Sequence, residues 1–229
     1  MSDSRPLSER LSALPSGRDL APPPDLVAQS QRERILTAVA DLAAEKGYRG
    51  MTIEAIAKRA RVALSTFYEH FEDKEACFLA AFDESVAAAR QVFAELVDRG
   101  RPWPEQIATG LEVLLDMVVA EPARAKLCLV EAQAAGTTAL LRYQEALESV
   151  APRLREGRDL NPRTARLPDG LEVAIAGGLA WLIHQRLAAD RVDDLKALLP
   201  EMLQVTLTPY MGEMEAGRAA EEAEARLAA

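Results

Sequence analysis

Apolar residues in this 229-residue chain recur at spacings of three and four, segment after segment. Nowhere do they alternate one-in-two over the length of a strand. That periodicity points to an all-α fold. Ile35, Leu36, Val39, Leu42 and Ala43 share one face of a first helix, which Asp25 caps and Gly47 ends. Thr52 caps a short second helix, Ile53 to Ala60, and Arg61-Val62 forms a tight turn into a third, Leu64 to His70. Asp73 caps a long fourth helix running to about Asp98. Beyond the GRPWP stretch, further amphipathic segments cover Glu105–Ala120, Pro122–Ala135, Thr137–Gly157, Leu171–Ala189 and Asp194–Met211, with Pro200 a kink or restart in the last. The count is about nine helices, with no internal repeat.

Composition sets the limits around this pattern. Apolar residues make up 49% of the chain, ample for a core. No apolar run is long enough to span a bilayer, and the N-terminus lacks the apolar stretch of a secretory signal. The two cysteines, Cys77 and Cys128, lie in apolar helical patterns and read as free thiols of a cytoplasmic protein. Residues 1–24 carry five prolines and no helical period, and read as a disordered arm. Residues 213–229 are rich in Ala and Glu with little apolar face, and read as a flexible tail. Net charge is −9, but it is unevenly placed. Residues 26–76 hold eight Lys/Arg against eight Asp/Glu, whereas residues 77–229 hold sixteen against twenty-four. Acidic groups beyond a Debye length of about 8–10 Å are largely screened from a ligand docked on the N-terminal part, so the global charge does not exclude nucleic acid.

Enzymatic chemistry finds little to work with. The two histidines, His70 and His184, fall in different parts of the chain. No Cys/His spacing suits zinc, no Gly-rich loop follows a strand, and no serine sits on a strand-to-helix elbow. No catalytic residue, metal ligand or cofactor is expected.

The segment Arg32–Phe82 has the rhythm of a helix-turn-helix. Ala57 supplies the small residue where two short helices cross, and Val62, Phe67 and Phe71 supply apolar plugs behind the third helix. That helix would present Ala63, Leu64, Ser65 and Thr66 to base edges. Thr52 and Lys74, at helix starts, suit phosphate oxygens, and Tyr68 and His70 flank the groove. The run TIEAIAKRARVALSTFYEHFEDKEA also resembles the DNA-binding domain of the TetR family of bacterial transcriptional regulators, matching its pattern at Thr52, Ile56, Ala57, Val62, Phe67, Tyr68, Phe71, Lys74 and Glu75. The resemblance covers about fifty residues. It implies that Thr52, Tyr68, His70 and Lys74 hold phosphates and that Leu64, Ser65 and Thr66 face the bases. Two residues depart from the pattern. Arg61 stands where the family usually has Gly, which tightens the turn or adds a phosphate contact, and Ala63 replaces the usual Ser, losing a helix cap. With no Arg or Lys at the reading corner, bidentate guanine contacts are not expected; thymine methyl and hydroxyl contacts are.

The resemblance further implies dimerisation and a small-molecule effector. The Leu171–Ala189 helix is apolar nearly all round, Gly177-Gly178 allows another helix close, and the last helix carries an apolar stripe. Ile175, Gly178, Leu182, Leu198, Met202 and Val205 are accordingly the expected interface of a four-helix homodimer. Met117, Cys128, Glu131, Tyr143 and Trp181, with Gln133 and His184, are candidates for a pocket between helices. The expected organisation is therefore an arm (1–24), a DNA-binding domain (25–72), an effector and dimerisation domain (73–212) and a tail (213–229). The expected function is a repressor that releases palindromic double-stranded DNA when an unknown effector binds. The alternatives are a ligand-independent regulator or activator, or a helical ligand-binding protein that has lost DNA function.

Overall fold

The computed structural model describes residues 24–227, and among them every regular element is helical. The proline-rich arm lies outside the described residues except for Pro24. The first helix, α1, spans Pro24–Gly50 and is broken at Gly47, whose φ of 70° and ψ of 162° interrupt the helical path where the sequence places a stop. There follow α2 (Ile53–Ala60), α3 (Leu64–His70) and α4 (Lys74–Leu96). Two of these starts are capped as expected. Thr52 Oγ1 accepts the Ala55 N–H at 3.2 Å, and Asp73 Oδ1 accepts the Ala76 N–H at 2.7 Å; each satisfies a donor that the helix itself cannot.

Then come α5 (Trp103–Ala120), α6 (Pro122–Leu129), α7 (Thr137–Glu148), α8 (Ala151–Arg155), α9 (Leu171–Ala188), α10 (Leu199–Met211) and α11 (Glu213–Leu227). Short 3₁₀ turns fill the gaps at 131–133, 156–160, 162–166, 192–194 and 196–198. Pro200 restarts a helix rather than kinking one: it sits in the first turn of α10, where its missing N–H forfeits no hydrogen bond.

These helices bury their apolar stripes in two cores. One gathers Ile35, Val39 and Leu42 of α1, Ile56 and Phe67 of the helix pair, Phe78 and Phe82 of α4, and Leu127, Ala132 and Ala139 further on. The other joins Trp103, Ile107 and Leu115 of α5, Ile175 and Ile183 of α9, and Met202, Leu203 and Leu207 of α10. Residues beyond 72 thus contribute to both cores, and α6 lies between them, with Leu127 in the first and Leu129 and Val130 packed on the second.

The expected flexible tail is instead a helix. Ala216, Ala220 and Ala223 of α11 are buried, and Arg226 is paired with Glu112 of α5 at 2.8 Å. Its contact face is made of alanines spaced for a helix, which let the backbone approach closely without any large apolar side chain to advertise it. A second unexpected feature is the buried carboxylate of Glu172. It accepts from Arg158 Nε at 2.6 Å and Nη2 at 3.1 Å and from the Tyr210 hydroxyl at 3.1 Å. Arg158 also donates to the carbonyls of Leu167 and Pro168, so this one group fastens the loop between α8 and α9 onto the second core. Among the described residues no helix is long and apolar enough to cross a membrane, and no cluster of His, Cys, Asp and Glu could hold a metal ion.

Candidate nucleic-acid interface

Below the interface, α3 is pinned by Phe67, which is fully buried, with Ile56, Ala57 and Ala60 of α2 buried beside it. The turn between the two helices is formed by Arg61 in the left-handed conformation, φ 56° and ψ 46°. Its N–H bonds to the Lys58 carbonyl at 3.3 Å and the Val62 N–H to the Ala57 carbonyl at 3.0 Å, closing α2 in the manner usually left to glycine. Arg61 thus occupies a tight turn, as its departure from the family pattern suggests, and its carbonyl lies 3.5 Å from Arg34 Nη1.

Above the plugs, the outward edge of α3 is apolar and hydroxyl-bearing. Leu64 is 43% exposed and Tyr68 53%, and Ser65 is exposed. Tyr68 touches the Phe67 ring edge-on, and otherwise these large side chains stand open on a helix whose opposite face is packed. Ala63 gives α3 no side-chain cap, as expected from its methyl group. Thr52 is exposed, and because its oxygen serves as acceptor in the cap, its O–H is left free to donate. His70 Nε2 lies 3.5 Å from Gln31 Oε1.

Lys74, expected as a phosphate ligand, also has partners within the chain. Its ammonium donates to the carbonyls of Tyr48 and Met51, both at 3.1 Å, and stands 4.3 Å from the centre of the Tyr48 ring. It ties the start of α4 to the end of α1 and so shapes the segment that leads into Thr52. Arg59 is likewise engaged, in a two-pronged pair with Glu45 at 2.8 and 2.7 Å. That hydrogen bonding draws the Glu45 carboxyl below its ordinary range. Among the described residues Arg61 forms no ion pair.

Residues 35–81, which contain this whole arrangement, match the model of the bacterial regulatory proteins of the tetR family. Over this segment the chain is tetR-like. Its helical architecture is similar to solved structures of such regulators. The fatty acid degradation regulator FadR from Bacillus halodurans superposes with a TM-score of 0.67 at 22% identity, over 79% of this chain and 98% of that one. FadR from Bacillus subtilis in complex with stearoyl-CoA gives 0.63 at 21% identity, over 79% and 98%. A gamma-butyrolactone receptor, an ArpA-like protein, gives 0.62 at 21% identity, over 87% and 99%.

In the larger helical part of the chain, the structure scatters the expected pocket residues. Trp181 is 53% exposed on the outer face of α9, stacked on His184 with ring centres 5.1 Å apart. It lies on the side of the helix turned away from both cores. Glu131 points back to α1, where its Oε2 accepts the Tyr48 N–H at 2.7 Å. Cys128 and Tyr143 pack against the first core, and burial pushes the Cys128 thiol up to about 12 and raises the Tyr143 hydroxyl. Met117 is half-buried on α5. Gln133 is exposed, its side chain folded back onto the Leu129 carbonyl. Two concavities are small. A crevice of about 280 Å³ between α4 and α7 is lined by Phe82, Val86, Arg90, Arg142 and Glu145. Another, of about 240 Å³, lies beneath α11.

The expected dimer residues divide. Ile175 of α9, Leu198 of the 3₁₀ turn at 196–198 and Met202 of α10 are all buried in the second core of their own chain. Gly178, Val205 and the half-buried Leu182 remain on the outer side. With Val173, 38% exposed, and Trp181, they leave an uncovered apolar strip along α9 and α10. A methyl group built at Gly177 or Gly178 would meet nothing within 4 Å.

Proposed function

We propose that this regulator is a homodimeric repressor that grips a palindromic operator through α3 and releases it when a small apolar molecule binds among the helices beyond residue 72. The observation that carries the DNA reading is the outward edge of α3. Leu64, Ser65 and Tyr68 are exposed over a fully closed core, flanked by the free hydroxyl of Thr52. Thr66, His70 and Arg61 complete the contact set, while Lys74 positions the backbone around Thr52 rather than meeting phosphate itself. The domain division follows the same logic: residues 25–72 grip and residues 73–212 dimerise and sense.

A second copy of the chain is the occupant proposed for the α9–α10 strip. A two-fold interface pairs the same surface on both subunits, and the open glycines at 177 and 178 admit close helix packing. The effector class follows from the solved neighbours, one of which holds stearoyl-CoA and another of which is a gamma-butyrolactone receptor. Stearoyl-CoA carries a long apolar acyl chain on a polar, charged carrier. The crevice between α4 and α7 sets Phe82, Val86 and Ala146 beside Arg90, Glu145 and the Arg142–Asp83 ion pair, and α4 connects it directly to the DNA-binding helices. At about 280 Å³ it falls just short of the roughly 300–1,000 Å³ of typical ligand pockets, so binding would widen it and displace α4.

The test is selection of duplexes from a random library by the full chain, followed by anisotropy titration across salt. A palindromic consensus, with affinity falling steeply as salt rises, supports the reading. Failure to enrich any sequence refutes it. Trp181→Glu should leave a monomer by sedimentation and weaken binding to the selected duplex at least about tenfold; a Trp181→Glu dimer would refute the proposed interface.

A further inference from the structure

Tyr48 is held from two directions. Its N–H donates to Glu131 Oε2 at 2.7 Å, from the 3₁₀ turn after α6. Its carbonyl accepts from Lys74 Nζ at 3.1 Å, at the start of α4. Its ring packs edge-on against Phe78 of α4, centres 5.0 Å apart. The backbone immediately before it is shaped for the same contact. Gly47 has φ 70° and ψ 162°, a region essentially reserved for glycine, and a methyl group there would stand 3.2 Å from Glu131 Oε2. Four residues after Tyr48 the chain reaches Thr52, the cap of α2 and a proposed phosphate contact.

On its other side Glu131 is linked to the exposed face of α9. His184 Nδ1 lies 2.9 Å from the carbonyl of Leu129, two residues before Glu131, and the same His184 ring stacks on Trp181. Leu127 and Ala132, on either side of this carbonyl, are fully buried in the first core. The segment carrying Glu131 is therefore packed on α1 and hydrogen-bonded to α9 at once.

We infer that Glu131 is a positioning residue for DNA binding: its carboxylate holds the Tyr48 peptide, and thereby the segment 47–52 and the α2–α3 pair, at the setting dictated by α6 and α9. This rests on the proposed reading that α3 docks on DNA. A displacement of α6 is passed on because the acceptor is a side chain of the sensing part and the donor is the backbone of the gripping part. Two packed elements joined at one short, charge-assisted bond move together.

The experiment uses the full chain, a duplex selected by the wild type, and the variants Glu131→Ala and Glu131→Gln. A hydrogen bond to a charged group supports an effect of roughly tenfold or more. In Glu131→Ala, amide exchange in a peptide covering residues 47–52 should accelerate at least about tenfold, the dissociation constant should rise about tenfold, and exchange in α9 and α10 should stay as in the wild type. Glu131→Gln keeps an acceptor oxygen and should restore most of both losses. A Glu131→Ala protein that binds within about twofold of wild type overturns the inference while leaving the DNA reading intact. So does acceleration spread over the whole chain, which would mark Glu131 as a general structural support, or a Glu131→Gln protein no better than Glu131→Ala. A wild type that selects no duplex overturns the inference together with the proposed function.

Discussion

Arg61 offers a perturbation whose sign can be worked out in advance. It sits at φ 56° and ψ 46°, where an L-residue with a β-carbon is penalised by roughly 1–2 kcal/mol. Replacing it by glycine removes that penalty but adds roughly 0.5–1 kcal/mol of unfolded-chain entropy. The balance favours Arg61→Gly by about 0.5–1 kcal/mol, or a rise in melting temperature of about 1–4 °C for a chain of this size. Arg61→Ala keeps the backbone penalty and removes only the side chain beyond its β-carbon, so it separates charge from conformation. If the guanidinium also meets a phosphate, both variants should lose DNA affinity equally and lower the salt-dependence slope by about 0.9. The measurements are circular-dichroism melts of the three proteins and titrations of a selected duplex at several salt concentrations. Equal melting temperatures for Arg61→Gly and Arg61→Ala would refute the conformational argument. An unchanged salt slope in both would refute the phosphate contact and leave Arg61 as a residue of the turn alone.

Three further outcomes follow from the packing. Glu172→Gln leaves the Arg158 guanidinium without its charge partner over the second core and should lower the melting temperature by about 5 °C or more. Burial pushes the Glu172 carboxyl up, but hydrogen bonds from Arg158 and Tyr210 outweigh it and the net shift is downward. The stabilisation is therefore complete above the unfolded-state value and lost as pH falls through the folded one, so wild type and Glu172→Gln should converge in melts below about pH 4. Gly157→Ala would place a carbon 2.6 Å from the Trp103 ring and should destabilise by about 1–3 kcal/mol in urea titrations. Burial pushes both cysteine thiols up to about 12, so at pH 8 the native protein should react with a thiol reagent at least about 100-fold more slowly than in urea.

The helix-turn-helix was legible because its determinants are local. Thr52, Asp73 and Gly47 act on backbone groups within a few residues, and the plugs Phe67 and Phe71 follow helical spacing. What stayed hidden depended on distant backbone. Lys74 finds the carbonyls of Tyr48 and Met51, and Glu131 finds the N–H of Tyr48; peptide groups leave no mark in a pattern of side chains. An acid in an apolar helical stretch was a signal at Glu131, but the pattern does not say what it meets. The α9 helix shows the limit of periodicity itself. Apolar all round, it gives no indication that Ile175 turns inward while Gly178 and Trp181 turn out. Leu198, in the turn before α10, and Met202, on it, were read as interface because nothing in the alanine-rich terminal sequence announced α11 as their cover.

The crowding between Gly47 and Glu131 has an evolutionary side. Residue 47 is constrained twice, by its backbone angles and by the carboxylate 3.2 Å from where a β-carbon would stand, whereas residue 131 is constrained only by the bond it makes. Substitution should therefore be lopsided among relatives of this chain. Lineages can drop the acid and keep the glycine, but a lineage that replaces the glycine must accept a strained backbone there and shift the acid by a few tenths of an ångström. The glycine then outlasts the contact it accommodates, and an aligned glycine without an aligned acid marks a relative whose two halves are connected some other way.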